Sequence, residues 1–185
     1  EVLRGARRPV LVVGGGTITS DACDQVLALA ERWRIPVVTT WNGKSAFPED
    51  HPLFAGSVGQ TGTIPGNAVA SSADVVVAVG CRFTDWSASS YAKGISFAIP
   101  PAKLIHIDID PHEIGKNYPA EVGIVADAQR AVAAVLDELP TTAPARDEYL
   151  AELRARKQEW EHKLAERRDS NRFPFTSQRP LGALR

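Results

Sequence analysis

The chain contains no methionine and only two cysteines in 185 residues. A sequence without methionine that opens on Glu1 is expected to be a domain excised from a longer protein. Cys23 and Cys81 lie far apart, which excludes a disulfide framework and a cysteine-rich zinc site. No apolar run approaches the roughly 18 residues that span a bilayer. The first residues, EVLRGARRPV, lack the apolar core of a signal peptide. A net charge of −1 gives no electrostatic pull toward nucleic acid or an anionic membrane. Neither partner is expected, and a reducing, cytoplasmic setting is. Catalytic signatures are also missing. There is no G-x-S-x-G elbow and no H-E-x-x-H helix. His51, His106, His112 and His162 fall on separate segments, so no metal site is expected.

What is present is a repeating alternation of buried strands and helices. Val10–Val13, Ile35–Thr40, Asp74–Val79, Lys103–Asp108 and Glu121–Val125 are short apolar runs, as expected of strands covered on both faces. Asp21–Trp33 and Asp127–Leu139 carry apolar residues at helical spacing. Ser20 or Asp21 is placed to cap the first of these helices. Asn42–Gly66 reads as a long loop with one helical turn, Asn67–Ala73 as a short helix, and Cys81–Pro101 as irregular. The pattern predicts an α/β fold, a Rossmann-like doubly wound parallel sheet of five to six strands with helices on both faces. It is expected to occupy residues 1–140. Beyond Pro140–Pro144, a linker by composition, Arg146–Arg168 reads as a long helical extension. Its apolar stripe is Leu150, Leu153, Trp160 and Leu164, and its mixed charges suit a solvated face. Arg172–Arg185 reads as connecting chain.

Three strand ends carry the candidate chemistry. Gly14, Gly15 and Gly16 follow the first strand, where a backbone without Cβ atoms can approach a phosphate at a helix start. They do not complete a dinucleotide fingerprint. The pattern G-x-G-x-x-G would end on Thr19, and the second strand ends on Thr39-Thr40-Trp41 without a carboxylate for ribose. Gly80 and Arg82 follow the third run. Arg82 could pair with a phosphate, or bridge Asp74 or Asp85. The run LIHIDIDPHEIGKN, Leu104–Asn117, places Asp108 and Asp110 two residues apart at a strand's end, hence on one side. In an open parallel sheet that end is where ligands bind. His106 reads as a core or hydrogen-bonded histidine, and Cys81 as a buried small residue rather than a nucleophile.

Taken in order, the motifs are Gly14-Gly15-Gly16, Thr39-Thr40-Trp41-Asn42-Gly43, His51-Pro52-Leu53, Gly59–Thr63, Gly80-Cys81-Arg82-Phe83 and His106–Asn117. In this order the chain resembles the central domain of thiamine-diphosphate-dependent enzymes of the acetolactate synthase type, over about residues 5–140. The resemblance implies three α/β domains in the full protein, with thiamine diphosphate and Mg2+ held by the N- and C-terminal domains. Its partners would be those domains of the same chain, in a homodimer or homotetramer. It implies that this segment is not itself catalytic and binds ADP, the ADP part of FAD, or nothing. The nucleotide contacts it implies are Gly14, Gly15, Gly16, Thr40, Trp41, Gly80, Arg82, Asp108, Ile109, Asp127 and Ala128. Flavin-binding members often carry a histidine where Thr61 stands, and a second arginine where Trp86 stands. Those departures touch the flavin end more than the ADP end. From another class, an FAD-binding domain of an electron-transfer flavoprotein has a related architecture, and a spacer without nucleotide is a third reading.

Overall fold

The computed structural model describes residues 1–184. Its centre is a six-stranded, all-parallel sheet. The strands are β1 (Pro9–Val13), β2 (Val37–Thr39), β3 (Phe54–Ser57), β4 (Val75–Val79), β5 (Lys103–Asp108) and β6 (Val122–Val125). Their order across the sheet is β3-β2-β1-β4-β5-β6. The order reverses between β1 and β4, which pair in register from Pro9 with Val75 to Val13 with Val79. Every residue of these two central strands is buried. That explains why their sequences are continuous apolar runs rather than alternating ones. The edge strand β6 alternates instead, with Gly123 and Val125 facing out.

The helices are α1 (Gly15–Thr19), α2 (Cys23–Trp33), α3 (Ile64–Ser71), α4 (Ala128–Glu138), α5 (Asp147–Arg168) and α6 (Gln178–Ala183). Buried Val26, Leu29, Ala30 and Trp33 recur at helical spacing along α2 and form its inner face. α2 ends at Arg34, which takes the left-handed conformation that commonly closes a helix.

Four expectations need correction. The segment 42–66 is not one long loop. It holds a short 3-10 turn, the strand β3, and the start of α3, which begins at Ile64 rather than Asn67. The sequence of β3 is FAGS, four residues with a glycine and a serine, too short and too polar for an apolar run to reveal it. Neither Ser20 nor Asp21 caps α2. Ala22 precedes it without a side-chain cap, Asp21 sits in a left-handed turn at φ 54°, and Ser20 ends α1. The tail holds the short helix α6, packed back on α5.

The stripe on α5 is half right. Leu150 and Leu153 are buried and belong to the main core, but Trp160 and Leu164 are only partly covered. The real anchor lies at the helix start and was not legible. Arg146 is buried, and its guanidinium donates to the carbonyls of Trp33 at 2.6 Å and Ala6 at 3.2 Å. Tyr149 donates its hydroxyl to the carbonyl of Pro9 at 3.3 Å. Arg32 donates to the carbonyls of Leu136 and Leu139, and the Trp33 indole donates to that of Pro140. The extension is therefore fastened where the strands begin, at the opposite end of the sheet from Gly14 and Asp108.

Candidate functional site

At the C-terminal ends of the strands a cleft of about 1120 Å³ opens. Such a position, at the reversal of strand order, is where open α/β sheets bind ligands. Of the residues expected at a site, Gly15, Gly16, Thr40, Trp41, Gly80, Arg82, Asp108, Ile109 and Asp127 line it. Gly14 and Ala128 do not. Both are buried just behind the lining, one after β1 and one as the first residue of α4.

The glycines serve the fold before they serve any ligand. A Cβ on Gly14 would come within 2.7 Å of the Cys81 Cα, and one on Gly16 within 2.8 Å of the Gly80 Cα. Gly80 has φ +56°, and a side chain there would press on the Gly16 backbone at 2.7 Å. The turns after β1 and β4 thus touch backbone to backbone. Their amides are committed as well: Gly14 N–H donates to the Val79 carbonyl at 2.9 Å and Gly16 N–H to that of Gly80 at 3.1 Å. Gly14 and Gly16 have a structural explanation in this contact; Gly15 lies outside it, against Asn42.

Arg82 is held at its backbone and free at its head. Asn117 donates its side-chain amide to the carbonyls of Arg82 at 3.1 Å and Phe83 at 3.0 Å. Phe83 sinks into an aromatic cluster with Phe97, His106 and Tyr118, at centroid distances of 5.2, 5.3 and 5.3 Å. The Arg82 side chain is exposed and makes no ion pair among the described residues. Neither expected bridge forms among the described residues: Asp74 stands before β4, at the opposite end of that strand from Arg82, where it takes the amides of Arg7 and Arg8, and Asp85 makes no ion pair.

His106 fixes the same loop from below. Its Nδ1 accepts from the Gly115 amide at 3.3 Å, so the proton sits on Nε2, which donates to the Cys81 carbonyl at 2.8 Å. Burial holds its pKa below the ordinary histidine value. Cys81 is buried, and desolvation pushes its thiol up to about 12, far from a reactive thiolate. His106 and Asn117 are the residues that sequence reasoning missed as positioners. Both lie in the run already singled out, and their contacts with the Gly80–Phe83 turn explain why the two motifs occur together.

Asp108 and Asp110 face the same cleft, as strand alternation predicts. Asp108 is 8% exposed; one oxygen accepts from the Asp110 amide at 3.1 Å, and the other has no partner among the described residues. Asp110 accepts from the amide and ring of His112, at 2.9 and 3.0 Å, and those bonds hold its carboxyl below the usual range. Asp127 caps α4 by accepting from the Arg130 amide at 3.1 Å. That bond, and one from Ser20, hold its carboxyl below the usual carboxylate range. Across the cleft, Ile18, Trp41, Trp86 and Ile109 leave large apolar side chains open to solvent, Trp41 at 66% and Trp86 at 47%.

The cleft is thus graded. Carboxylates stand at the β5 and β6 ends, one unpaired cation stands beyond β4, and indoles stand past β2 and in the loop after β4. Such a lining offers acceptors at one end, a single free cation and two exposed flat apolar faces. Among the described residues no group of three or more His, Cys, Asp or Glu is placed to hold a metal ion, and no helix is long and apolar enough to cross a membrane.

Comparison with known proteins covers the same part of the chain. A family profile described as "Thiamine pyrophosphate enzyme, central domain" matches residues 1–139. The chain is 46% identical over 139 residues to the probable acetolactate synthase large subunit of Methanocaldococcus jannaschii, an alignment that covers 75% of this chain and 23% of that protein. It is 44% identical over 139 residues to the probable acetolactate synthase large subunit of Methanococcus aeolicus, covering 75% and 22%. It is 43% identical over 139 residues to the acetolactate synthase of Mycobacterium avium, again covering 75% and 22%. The chain therefore spans less than a quarter of the length of these relatives.

Proposed function

Because the chain belongs to the thiamine pyrophosphate enzyme central-domain family, we propose that it is the nucleotide-binding-type domain of an acetolactate synthase-like enzyme. That enzyme would decarboxylate or join 2-keto acids. Thiamine diphosphate and Mg2+ would be bound by its N- and C-terminal domains, with residues 141–185 leading toward the latter. Assembly would be as a homodimer or homotetramer in the cytoplasm. In this reading none of the residues described here carries out the chemistry.

The ligand proposed for the cleft is an adenine nucleotide diphosphate. The observation that carries this reading is the pairing of an unengaged Arg82 head with the unbonded oxygen of Asp108 in one cleft. An arginine fork matches phosphate oxygens. A carboxylate oxygen that only accepts suits ribose hydroxyls. The fit is poorer for FAD. Thr61 and Trp86 stand where flavin-binding members often place histidine and arginine, and Trp86 brings an indole to the cleft rather than a charge. The tight packing of Gly14, Gly16 and Gly80 favours a second reading, a spacer that binds no nucleotide, since those three glycines need no ligand to explain them.

Calorimetric titration with ADP, FAD and NAD tests the proposal. Saturable ADP binding with much weaker FAD and NAD binding is the expected result. No ADP binding favours the spacer, and a protein that purifies yellow with FAD overturns the preference for ADP. Incubation with pyruvate, thiamine diphosphate and magnesium should release no carbon dioxide above a blank. Turnover by this chain alone would overturn its assignment as a non-catalytic domain.

A further inference from the structure

The turn after β4 and the loop that follows it are held in backbone forms that their residues rarely adopt. Phe83 has φ 49°, a left-handed conformation that is uncommon for a bulky side chain. Three more such residues, Ser89, Ser90 and Tyr91, follow in one run at φ 50°, 54° and 60°. None is a glycine, and left-handed residues normally occur singly. Strain of this kind persists only where surrounding contacts hold it, and it gathers at ligand clamps. Here the holding contacts can be named.

The carbonyls of Cys81, Arg82 and Phe83 all turn inward onto side chains. His106 serves the first, Asn117 serves the second and third, and Tyr91 donates its hydroxyl to the third at 3.0 Å. The left-handed turn at Phe83 brings its carbonyl to the same side as that of Arg82, where one amide nitrogen reaches both. Cys81 and Phe83 are buried on either side of Arg82, whose side chain is left to line the cleft. The strained run has its own anchor further out. The Ser89 and Ser96 hydroxyls lie 2.7 Å apart, and Ser96 donates to the Asn67 side chain at 2.9 Å. The Tyr91 hydroxyl is the link from that anchored run back to the Arg82–Phe83 turn.

We propose that Tyr91 is a positioning residue for Arg82: its hydroxyl holds the turn in the left-handed form that directs the Arg82 side chain into the cleft. This rests on the nucleotide reading given above. Tyr91 does not itself line the cleft, so it acts through the turn. A guanidinium pairs with phosphate oxygens and offers nothing comparable to an uncharged nucleoside. The Tyr91 hydroxyl therefore matters for ADP and not for adenosine.

The experiment is calorimetric titration of the unaltered chain, Tyr91→Phe, Arg82→Ala and the double variant with ADP and with adenosine. Tyr91→Phe keeps the ring, which packs edge-on against Tyr118 at 6.0 Å, and removes only the hydroxyl. It should weaken ADP binding about fivefold, within the range of one neutral hydrogen bond, and change adenosine binding by less than about twofold. With Arg82 already replaced by alanine, the same change should alter ADP affinity by less than about twofold, because residues that act through one another are not additive. An equal loss for ADP and adenosine overturns the inference. So does a loss that persists without Arg82, or no loss at all. In those cases ADP still binds the unaltered chain and the nucleotide reading stands. Failure of ADP to bind the unaltered chain overturns both. The Arg82→Ala background decides the matter if adenosine binds too weakly to measure. Asn117→Ala removes the other donor to the Phe83 carbonyl, should reproduce the pattern, and carries the test if Tyr91→Phe folds poorly.

Discussion

The two ends of the sheet are built on opposite rules. Where the strands begin, most of the buried polar groups meet backbone carbonyls, although the Arg146 Nε is buried without a partner among the described residues. Arg146 reaches two carbonyls, Tyr149 reaches Pro9, and the Arg32 and Trp33 side chains hold the chain at Leu136–Pro140. Where the strands end, the backbone is tightly packed but the side chains are left unmatched. Among the described residues Arg82 has no ion pair and one Asp108 oxygen has no protein donor, and two indoles stand open. The first pattern is what stability requires, because an unpaired buried group costs about 1–3 kcal/mol. The second costs little, because the Arg82 head is exposed and the second Asp108 oxygen is not among the buried unpartnered atoms, so water can serve both. Sequence comparison stops at residue 139, but the closed end does not, since Tyr149, Leu150 and Leu153 share the main core.

The sharpest way to break this contrast is to cut into the closed end. Leu153 is 1% exposed, and Leu153→Ala should cost about 3 kcal/mol, within the range for buried leucines. Trp160→Ala, further along α5, removes a larger but only partly covered side chain and should cost less than that. Chemical denaturation of both variants checks the ranking. If Trp160 proves the more costly, the extension is anchored along its length rather than at its start.

The open end should respond in the other currency. Arg82→Ala removes an exposed, unpaired head, so the denaturation midpoint should move by no more than about 0.5 kcal/mol. ADP affinity should fall about tenfold or more, the worth of a charge-assisted hydrogen bond. Paired unfolding and calorimetric measurements would show whether the two effects separate. A large stability loss would mean that Arg82 is structural, and the open end less open than its geometry indicates.

The legibility of the two ends differs for the same reason. The open end could be read because its residues are forced into types: glycine where backbones touch, alternating carboxylates at a strand terminus, apolar runs leading into each. The doubly wound sheet followed from those runs. The strand β3 did not, since FAGS is an edge segment whose pairing with β2 is a tertiary event. At the closed end, nothing local marks Arg146 as buried. Its partners Trp33 and Ala6 lie more than a hundred residues away in sequence, and the helical pattern pointed to Trp160 instead. At the cleft itself, His106 and Asn117 were within the recognised run. Their role in holding the Gly80–Phe83 turn depends on contacts between strand ends that spacing does not reveal.

The smallest expected effect tests whether the open end has a closed floor. His106 lies directly under the cleft, neutral, with both ring nitrogens committed, and burial lowers its pKa below the value it has when unfolded. The sign follows from linkage. The unfolded chain takes up a proton on this ring as pH falls through about 6.5, while the folded chain resists until a lower pH. Protonation therefore favours the unfolded state across that window. Stability from His106 is fully present above the unfolded pKa and is lost as pH falls toward the folded one. His106→Gln should flatten the dependence of the thermal midpoint between about pH 7 and pH 5 relative to the unaltered chain. The carboxylates held low by His112 and Arg130, Asp110 and Asp127, act at more acid pH and leave this window to the histidine. An unchanged slope in the variant would mean that the ring takes its proton where it sits, and that the Gly80–Phe83 turn is seated on something softer than a neutral imidazole.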